Sequence, residues 1–445
     1  MEHLHLSSGG PIYQVFYYLE GLLQGASVRL FRMGSAGSIY EADSGKDVDV
    51  PSTCIEGNDH GSNLGPSDTE SCDDETALEG SQIEESIYHT ILMEKQIFHV
   101  DCRYSNLTPL GKGVYGVVVK AYDSKYEKYV AIKKIADVFN DVVDAKRVLR
   151  EIKILRHLKG HENIIGIQDI MAVPTRTLEN FKDLYIVTDL YETDIENVIQ
   201  SKQMLTEQHI RFFLYQLLRA LKFMHSANIV HRDLKPSNIL ANANCNVAIC
   251  DFGLARGIDD TQDYNLTEHV VTRWYRAPEL LCNCMYGKPV DVWSAGCIFA
   301  ELITGHALFR GNSPNDQLRL IIKKLGCPPV EKLQFITSQT ALVAILETAA
   351  FPNASTFADY FPASTNPLAI NLLRQMLAFN PADRITAEDA LNHSYFCEYR
   401  GVSSEPAAQN KFDYSFEKSA DGSWDMKELE VRSCMWEEVN VYRNG

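Results

Sequence analysis

The chain has 445 residues, 45% of them hydrophobic, so it is longer than one ordinary domain and can fill the cores of a two-lobed globular protein. Between residues 34 and 85, fourteen acidic residues accompany a single Lys, and this segment carries −13 of the formal charge of −17. The remainder is nearly neutral, which argues against nucleic acid as a partner. We therefore predict that residues 1–86 form an acidic, largely disordered N-terminal extension.

The cysteines and the apolar stretches further restrict the class of protein. Eleven Cys are scattered without a CxxC pair, and no basic stretch of a signal peptide precedes them. These features predict free thiols in a reducing compartment, the cytoplasm or the nucleus or both. The apolar segment 11–31 is interrupted by Glu20 and Arg29, so no association with a membrane is expected.

The predicted elements change from strands to helices along the chain. Apolar residues alternate around Val119, a second apolar run covers residues 130–132, and a short buried strand is predicted at 184–187. Helical patterns occupy residues 144–158, 207–225, 291–304, 317–325 and 369–377. Strands followed by helices predict an α+β fold with two lobes, a small β-rich one and a large helical one.

A glycine-rich segment lies between two strands, the later of which is the predicted strand around Val119. It reads Gly111-Lys112-Gly113-Val114-Tyr115-Gly116-Val117-Val118, a GxGxxGxV pattern. Glycines allow a hairpin to close over the phosphates of a nucleotide, and Val118 is expected on the adenine face. A strand follows the pattern instead of a helix, which disfavours a Rossmann fold, although such a hairpin can also be a simple turn.

A lysine is placed at the end of the next apolar run. Val130, Ala131 and Ile132 precede Lys133, and Glu151 follows on the predicted helix. A Lys in such a strand either extends its ammonium group to the surface or pairs with an anion. Pairing with Glu151 would fix Lys133 against the α- and β-phosphates of a nucleotide.

Three further motifs follow in a fixed order. Residues 231–238 read His-Arg-Asp-Leu-Lys-Pro-Ser-Asn, Asp-Phe-Gly begins at Asp251, and Ala-Pro-Glu ends at Glu279. Asp233 is expected to accept the proton of a substrate hydroxyl, and Lys235 to neutralise the phosphoryl group in transfer. This set of residue types, in this order, is typical of protein kinases.

Two residues of these motifs are expected to bind magnesium. Asn238 and Asp251 supply the amide and carboxylate oxygens that Mg²⁺ prefers, and ATP is the expected nucleotide. Every position that an active kinase requires is filled. The alternative of a catalytically inactive kinase-fold scaffold therefore has no support in the sequence.

From residue 104 to residue 396 the chain resembles the MAP kinases, and residues 397–445 resemble the C-terminal extension that packs back on their kinase domain. The resemblance rests on segments such as 272–279 (TRWYRAPE) and 316–321 (DQLRLI). It implies a monomeric serine/threonine kinase that acts on sites followed by Pro and is activated by an upstream MAP kinase kinase. A cyclin-dependent-kinase-like enzyme is the alternative, although the helix from Arg147 lacks the cyclin-binding signature.

The same resemblance implies the residues of the nucleotide site and of a substrate pocket. The ATP-binding positions are Leu110, Gly111, Lys112, Gly113, Val114, Tyr115, Gly116, Val117, Val118, Ala131, Lys133, Asp189, Tyr191, Asp194 and Leu240. The pocket for the residue after the phosphorylated one is assigned to Val271, Arg273 and Arg276.

The activation lip departs from the pattern of the MAP kinases. These kinases carry Thr-x-Tyr there, whereas this chain reads Thr267-Glu268-His269. Thr267 remains as the expected activation phosphosite, but His269 cannot serve as the phosphorylated tyrosine. A phosphate of about −2 charge opposite several Arg would order the lip and draw the Glu151 helix inward. The phosphate-receiving positions implied by the resemblance are Arg147, Arg150, Arg232 and Arg256.

Overall fold

The computed structural model describes nine stretches of the chain, all of them within one compact unit. They are residues 88–93, 95–113, 116–173, 177–257, 272–349, 356–401, 405–419, 421–424 and 426–443. The predicted acidic extension 1–86 lies outside these residues. Four predicted site residues, Val114, Tyr115, Thr267 and Val271, and also His269, lie outside them as well.

Seven strands build the small lobe. They are β1 (Tyr88–Met93), β2 (Gln96–Asp101), β3 (Tyr104–Gly113), β4 (Gly116–Asp123), β5 (Lys128–Ile135), β6 (Ile167–Met171) and β7 (Leu184–Asp189). The last five form one antiparallel sheet in the order β3-β4-β5-β7-β6. Because successive strand residues point to opposite faces, Val117, Val119, Val130 and Ile132 are fully buried on one face. The three predicted strands are therefore confirmed.

The hairpin β1–β2 has no counterpart among the predicted elements. Its two strands pair from Tyr88 with Asp101 to Met93 with Gln96. Phe98 and Val100 are fully buried in the core formed by the sheet, and the backbone N–H of His99 donates to the Tyr185 hydroxyl at 3.1 Å. The hairpin thus covers the face of the sheet that carries the apolar side chains.

The remaining elements are mostly helical and confirm the α+β class. The helices are α1 (Val142–His157), α2 (Ile195–Gln200), α3 (Glu207–Ser226), α4 (Pro278–Leu281), α5 (Pro289–Thr304), α6 (Pro314–Leu325), α7 (Gln339–Ala349), α8 (Pro367–Met376), α9 (Ala387–Leu391) and α10 (Glu428–Arg443). Short strands β8 (Thr193–Asp194), β9 (Ile229–Val230), β10 (Ile239–Ala241), β11 (Val247–Ile249) and β12 (Arg256–Gly257) lie between them. They form two small sheets, β11-β10-β8 and β12-β9.

Helices α3 and α5 form the centre of the large lobe. Thr206 caps α3 by accepting from the His209 N–H, and α5 ends at Gly305, whose φ of 76° suits glycine. Leu218 and Trp293, one from each helix, are fully buried. None of the described helices is long and apolar enough to cross a membrane, and the nine cysteines in the described stretches are free thiols.

The C-terminal segment contacts helix α1 of the small lobe. Met435 and Val439 of α10 are buried, and Glu438 accepts from the Lys153 ammonium group at 2.6 Å. Before α10, the backbone N–H of Phe412 donates to the Ala227 carbonyl at 2.9 Å. Residues of the segment therefore touch both the large lobe and α1.

Candidate active site

A buried aspartate holds the loop between β9 and β10. The carboxylate of Asp291, at the start of α5, accepts from the backbone N–H groups of His231 and Arg232 at 2.9 Å each, and from His225 Nε2 at 3.0 Å. Arg232 has a φ of 68°, which is unfavourable for a side chain of this kind. The three hydrogen bonds offset that strain and fix the orientation of Asp233, the next residue.

Asp233, Lys235 and Asn238 form one cluster on this loop. The Lys235 ammonium group lies 3.1 Å from Asp233 Oδ2. The Asn238 amide nitrogen donates to the Asp233 carbonyl oxygen at 2.9 Å and lies 3.4 Å from Asp233 Oδ2. Burial raises the pKa of Asp233, and the charge of Lys235 opposes this rise. The carboxylate is therefore a stronger base than an exposed aspartate.

The Asp251-Phe252-Gly253 segment adjoins this cluster. The His231 ring packs edge-on against Phe252 with 5.0 Å between centroids, and its Nε2 lies 3.0 Å from the Cys250 carbonyl oxygen. Asp251, two residues after β11, has a φ of 64°, in the left-handed region that residues other than glycine rarely adopt. Burial raises the pKa of Glu151 and of Asp233, and the Asp251 charge raises both further, which places it near each of them.

The predicted pair between Lys133 and Glu151 is present. The Lys133 ammonium group lies 3.3 Å from Glu151 Oε2, and both side chains are largely buried. Burial raises the pKa of Glu151, whereas the charge of Lys133 opposes the rise. Of the two alternatives from the sequence, pairing with a buried anion is the one observed.

Of the predicted nucleotide-binding residues of the sheet, Val118, Ala131 and Lys133 share one face, whereas the side chain of Val117 is fully buried in the core on the opposite face. Val118 lies opposite Lys133 across the β4–β5 ladder, and Ala131 lies opposite Thr188 across β5–β7. Because directly opposite residues share a face, these four side chains project from the side that does not carry Val117. The face that bears the Lys133–Glu151 pair is therefore also the face predicted for the adenine.

The glycine-rich hairpin has one position that only glycine can fill. Gly116 has a φ of 150°, and a Cβ atom there would lie 1.7 Å from the Lys134 carbonyl oxygen. Gly111, Lys112 and Gly113 continue β3, where Gly113 pairs with Gly116. Leu110, just before them, is buried. The backbone conformation and the close Lys134 carbonyl therefore explain why residue 116 is glycine.

Four further predicted nucleotide-site residues lie on β7, β8 and β10 or just after them. Asp189 accepts from Lys128 at 2.9 Å and from Gln168 at 3.0 Å, and Tyr191 is half-buried. Asp194 and Leu240 pair across β8–β10. Both carboxylate oxygens of Asp194 accept from Asn197, and burial raises the Asp194 pKa to about 6.

The donor atoms near Asp233 suit a hard cation. Since the Asn238 amide nitrogen donates to the Asp233 carbonyl, its Oδ1 is the atom left for a cation, and Asp251 offers a carboxylate close by. Magnesium is usually bound through one or two carboxylates and by the phosphates of its nucleotide. Within the described stretches, no group of three or more His, Cys, Asp or Glu residues forms a metal site. The residues present fit a magnesium ion that takes its other ligands from the phosphates of a nucleotide.

The predicted phosphate-receiving arginines are not equivalent. Arg147 pairs with Asp144 at 2.6 Å, whereas Arg150 forms two hydrogen bonds with Glu417. Arg232 donates to the Leu254 carbonyl at 2.7 Å and to the Tyr286 hydroxyl at 2.6 Å. Arg256 is on β12, and its buried Nη1 has no hydrogen-bond partner among the described residues.

Two of the three predicted pocket residues lie just before α4. Arg273 begins the short 3-10 turn Arg273–Tyr275, and the backbone N–H of Arg276 donates to the Arg273 carbonyl at 3.1 Å. The pocket residue Val271 lies outside the described residues, so its relation to the two arginines stays a prediction.

Two structural residues near the site were missed by the sequence reasoning. Asp291 only begins a predicted helix, although a carboxylate within an otherwise apolar helical pattern indicates a buried partner. Arg384 forms two hydrogen bonds with Glu279 of the Ala-Pro-Glu motif, at 2.6 and 3.0 Å, and both side chains are fully buried. Nothing in the spacing of the motifs indicates this pair, because 105 residues separate its members.

Comparison with known proteins gives consistent matches. The family model described as "Protein kinase domain" matches residues 104–396. "Mitogen-activated protein kinase 6" of Arabidopsis thaliana is 48% identical over 341 residues, which cover 76% of this chain and 84% of that protein. "Mitogen-activated protein kinase homolog NTF6" of Nicotiana tabacum is 48% identical over 334 residues, 75% of this chain and 88% of that protein. "Mitogen-activated protein kinase 4a" of Physcomitrium patens is 45% identical over 347 residues, 77% and 88% of the two chains.

Proposed function

Because the chain belongs to the mitogen-activated protein kinase family of serine/threonine protein kinases, we propose that it transfers the γ-phosphoryl group of ATP to Ser or Thr followed by Pro. Protein kinases in general use ATP and Mg²⁺. The observation that best supports the proposal is the Asp233–Lys235–Asn238 cluster beside an intact Lys133–Glu151 pair. We place the enzyme in the cytoplasm, the nucleus or both, as a monomer.

Each site residue has a separate task in the proposed reaction. Asp233, whose pKa is raised by burial, accepts the proton of the substrate hydroxyl, and Lys235 stabilises negative charge on the phosphoryl group in transfer. Lys133, oriented by Glu151, donates to the nucleotide phosphates. Magnesium supplies positive charge to those phosphates when bound, and Asn238 would hold it together with Asp251.

The preference for Pro is proposed from the residues assigned to the substrate pocket. Arg276 matches the residue that satisfies the Val271 carbonyl in related kinases, and a pocket shaped in this way favours Pro, which has no amide hydrogen. Two peptides that differ only in Pro or Ala after the acceptor Ser test the proposal. We expect kcat/KM to be at least about tenfold higher with Pro. This ratio corresponds to the free energy of about one hydrogen bond. Equal rates would refute the preference for Pro.

Activation is proposed to need one phosphate, on Thr267, added by an upstream MAP kinase kinase. The basic residues of the lip region supply charge-assisted hydrogen bonds of about 1.5 to 3 kcal/mol each in favourable cases. Thr267→Ala should therefore lower the activity of the activated enzyme steeply, whereas His269→Phe should change it little. Full activity of the Thr267→Ala protein after treatment with the activator would contradict this proposal.

A further inference from the structure

A carboxylate from the C-terminal segment binds one of the predicted phosphate-receiving arginines. Glu417 Oε1 lies 2.5 Å from Arg150 Nε, and Glu417 Oε2 lies 2.9 Å from Arg150 Nη2. The Arg150 side chain is 4% exposed and that of Glu417 is 19% exposed. This bidentate pair is the strongest geometry that an arginine and a carboxylate can form.

The segment that carries Glu417 is also seated against the beginning of the lip. The Tyr414 ring packs on Gly257 of β12 so closely that a Cβ atom at residue 257 would lie 2.0 Å from the ring carbon Cε2. Burial raises the Tyr414 pKa, Glu417 raises it further, and the charges of Arg150 and Arg232 oppose the rise, which places the ring near both arginines. The turn from Tyr414 to Glu417 is therefore held by contacts on two sides, through Glu417 at α1 and through Tyr414 at β12.

Arg150 is linked directly to the active site through its own helix. It precedes Glu151 in α1, and Glu151 binds Lys133 at 3.3 Å. A shift of α1 that separates Glu417 from Arg150 would also move the Glu151 carboxylate. The Glu417–Arg150 contact and the Glu151–Lys133 pair are therefore coupled, because α1 carries both Arg150 and Glu151.

Glu417 does not satisfy every donor of the predicted phosphate-receiving arginines. Nη1 of Arg150 and Nη1 of Arg256 are both buried, and neither has a hydrogen-bond partner within the part of the chain that the structure describes. The buried hydroxyl of Tyr414 also has none there. Buried donors without partners are costly, and Tyr414 lies near both Glu417 and Arg150, so Arg150 Nη1 and the Tyr414 hydroxyl are donors still available to a second anion.

We propose that Glu417 is a positioning residue for phosphoryl transfer, which holds Arg150, and through α1 the Glu151–Lys133 pair, before the lip is phosphorylated. The proposal rests on the proposed role of Thr267 for one part only. In the phosphorylated enzyme, the Thr267 phosphate would take the remaining donors and make the contribution of Glu417 smaller. The unphosphorylated enzyme should therefore depend on Glu417 more than the phosphorylated enzyme does.

The test compares full-length proteins with and without phosphothreonine encoded genetically at position 267. Glu417→Gln removes the charge but keeps the shape, Glu417→Asp keeps the charge, and Glu428→Gln changes an exposed carboxylate of α10 as a matched control. The values measured are kcat and the KM for ATP on a Ser-Pro peptide. In addition, hydrogen exchange of α1 in the unphosphorylated proteins reports how firmly this helix is held, without need of activity.

Glu417→Gln should lower kcat of the unphosphorylated enzyme about tenfold, the effect of losing one charge-assisted hydrogen bond, and that of the phosphorylated enzyme about threefold at most. It should also speed exchange in α1, while Glu417→Asp recovers part of both losses and Glu428→Gln changes neither. An equal loss in both forms would assign Glu417 to stability alone, and unchanged exchange or a gain in activity would refute the proposal. If phosphothreonine fails to raise wild-type activity, the proposed role of Thr267 fails instead, and exchange in α1 still decides the role of Glu417.

Discussion

Single buried polar residues determine much of the geometry of the site. Asp291 accepts three hydrogen bonds that hold the loop of Asp233, and Arg384 neutralises the buried Glu279. The grouping of Lys133 with Glu151, and of Asp233 with Asn238, could be predicted because their motifs are local and the chemistry fixes the residue types. Their supports could not be predicted, since a hydrogen bond between distant segments leaves no pattern in the spacing of either one.

One buried polar residue, His161, makes the stability of the fold depend on pH. Burial and the nearby charge of Arg219 lower the pKa of His161 to about 4, from an ordinary value of 6.5. Its Nδ1 lies 3.1 Å from the backbone nitrogen of Asn163, and its buried Nε2 has no hydrogen-bond partner among the described residues. Between these two pKa values the unfolded chain binds a proton that the folded chain excludes, so stability is lost as the pH falls from about 6.5 toward 4.

We expect the titration of His161 alone to lower the free energy of unfolding by about 1 to 1.5 kcal/mol when the pH falls from 7.5 to 5.5. His161→Gln removes the titrating ring but keeps an acceptor for the Asn163 N–H. Urea unfolding at the two pH values should therefore show a smaller loss of stability in the variant than in the wild type. The same pH dependence in both proteins would show that His161 is not held neutral in the fold.

Among the elements, periodicity predicted the helices α1, α3, α5, α6 and α8 and the strands β4, β5 and β7 of the central sheet, but not β6, the other described helices or the hairpin β1–β2. Residues 207–225 and 291–304 repeat apolar side chains at helical spacing, and α3 and α5 cover almost the same ranges. The strands β1 and β2 mix exposed Leu92 and Ile97 with buried Phe98, so no clean alternation is visible. Packing of the C-terminal segment on the kinase domain was expected from resemblance only, and its contact with α1 was not predicted, because 267 residues separate Arg150 from Glu417.

Helix α10 secures α1 through a second buried carboxylate. Glu438 is 1% exposed; its Oε1 accepts from Lys153 at 2.6 Å, and its Oε2 lies 2.7 Å from Arg156 Nη1 without hydrogen-bond geometry. Glu438→Gln would leave the largely buried Lys153 without its counter-charge. We therefore expect a loss of about 3 kcal/mol in the free energy of unfolding, as for other buried pairs that lose one member.

Urea unfolding measures this loss, and Glu437→Gln is the matched control because Glu437 is the exposed neighbour on the same helix. The control should change stability by less than about 0.5 kcal/mol. A similar small effect of Glu438→Gln would mean that α10 does not depend on this carboxylate for its attachment to α1.

At the scale of the whole molecule, most of the negative charge and the residues of the active site lie in different parts of the chain. The segment between residues 34 and 85 carries most of the negative charge, whereas the residues of the site begin at Leu110. We predict that deletion of residues 1–86, which ends before β1 at Tyr88, leaves kcat/KM for a peptide substrate within a few-fold of the full-length value. A complete loss of activity in a folded deletion variant would show that the extension takes part in the catalytic reaction.

The central claim is that this chain itself transfers phosphate, with Asp233 as the proton acceptor. Steady-state phosphorylation of a Ser-Pro peptide by purified wild-type and Asp233→Asn proteins tests it most directly, with circular dichroism and thermal unfolding as checks of the fold. We predict that the variant stays folded and loses about 10² to 10⁴ in kcat, the usual contribution of a positioned general base. Near-normal turnover by the folded variant would contradict this account and favour a non-catalytic kinase-fold scaffold that copurifies with another kinase.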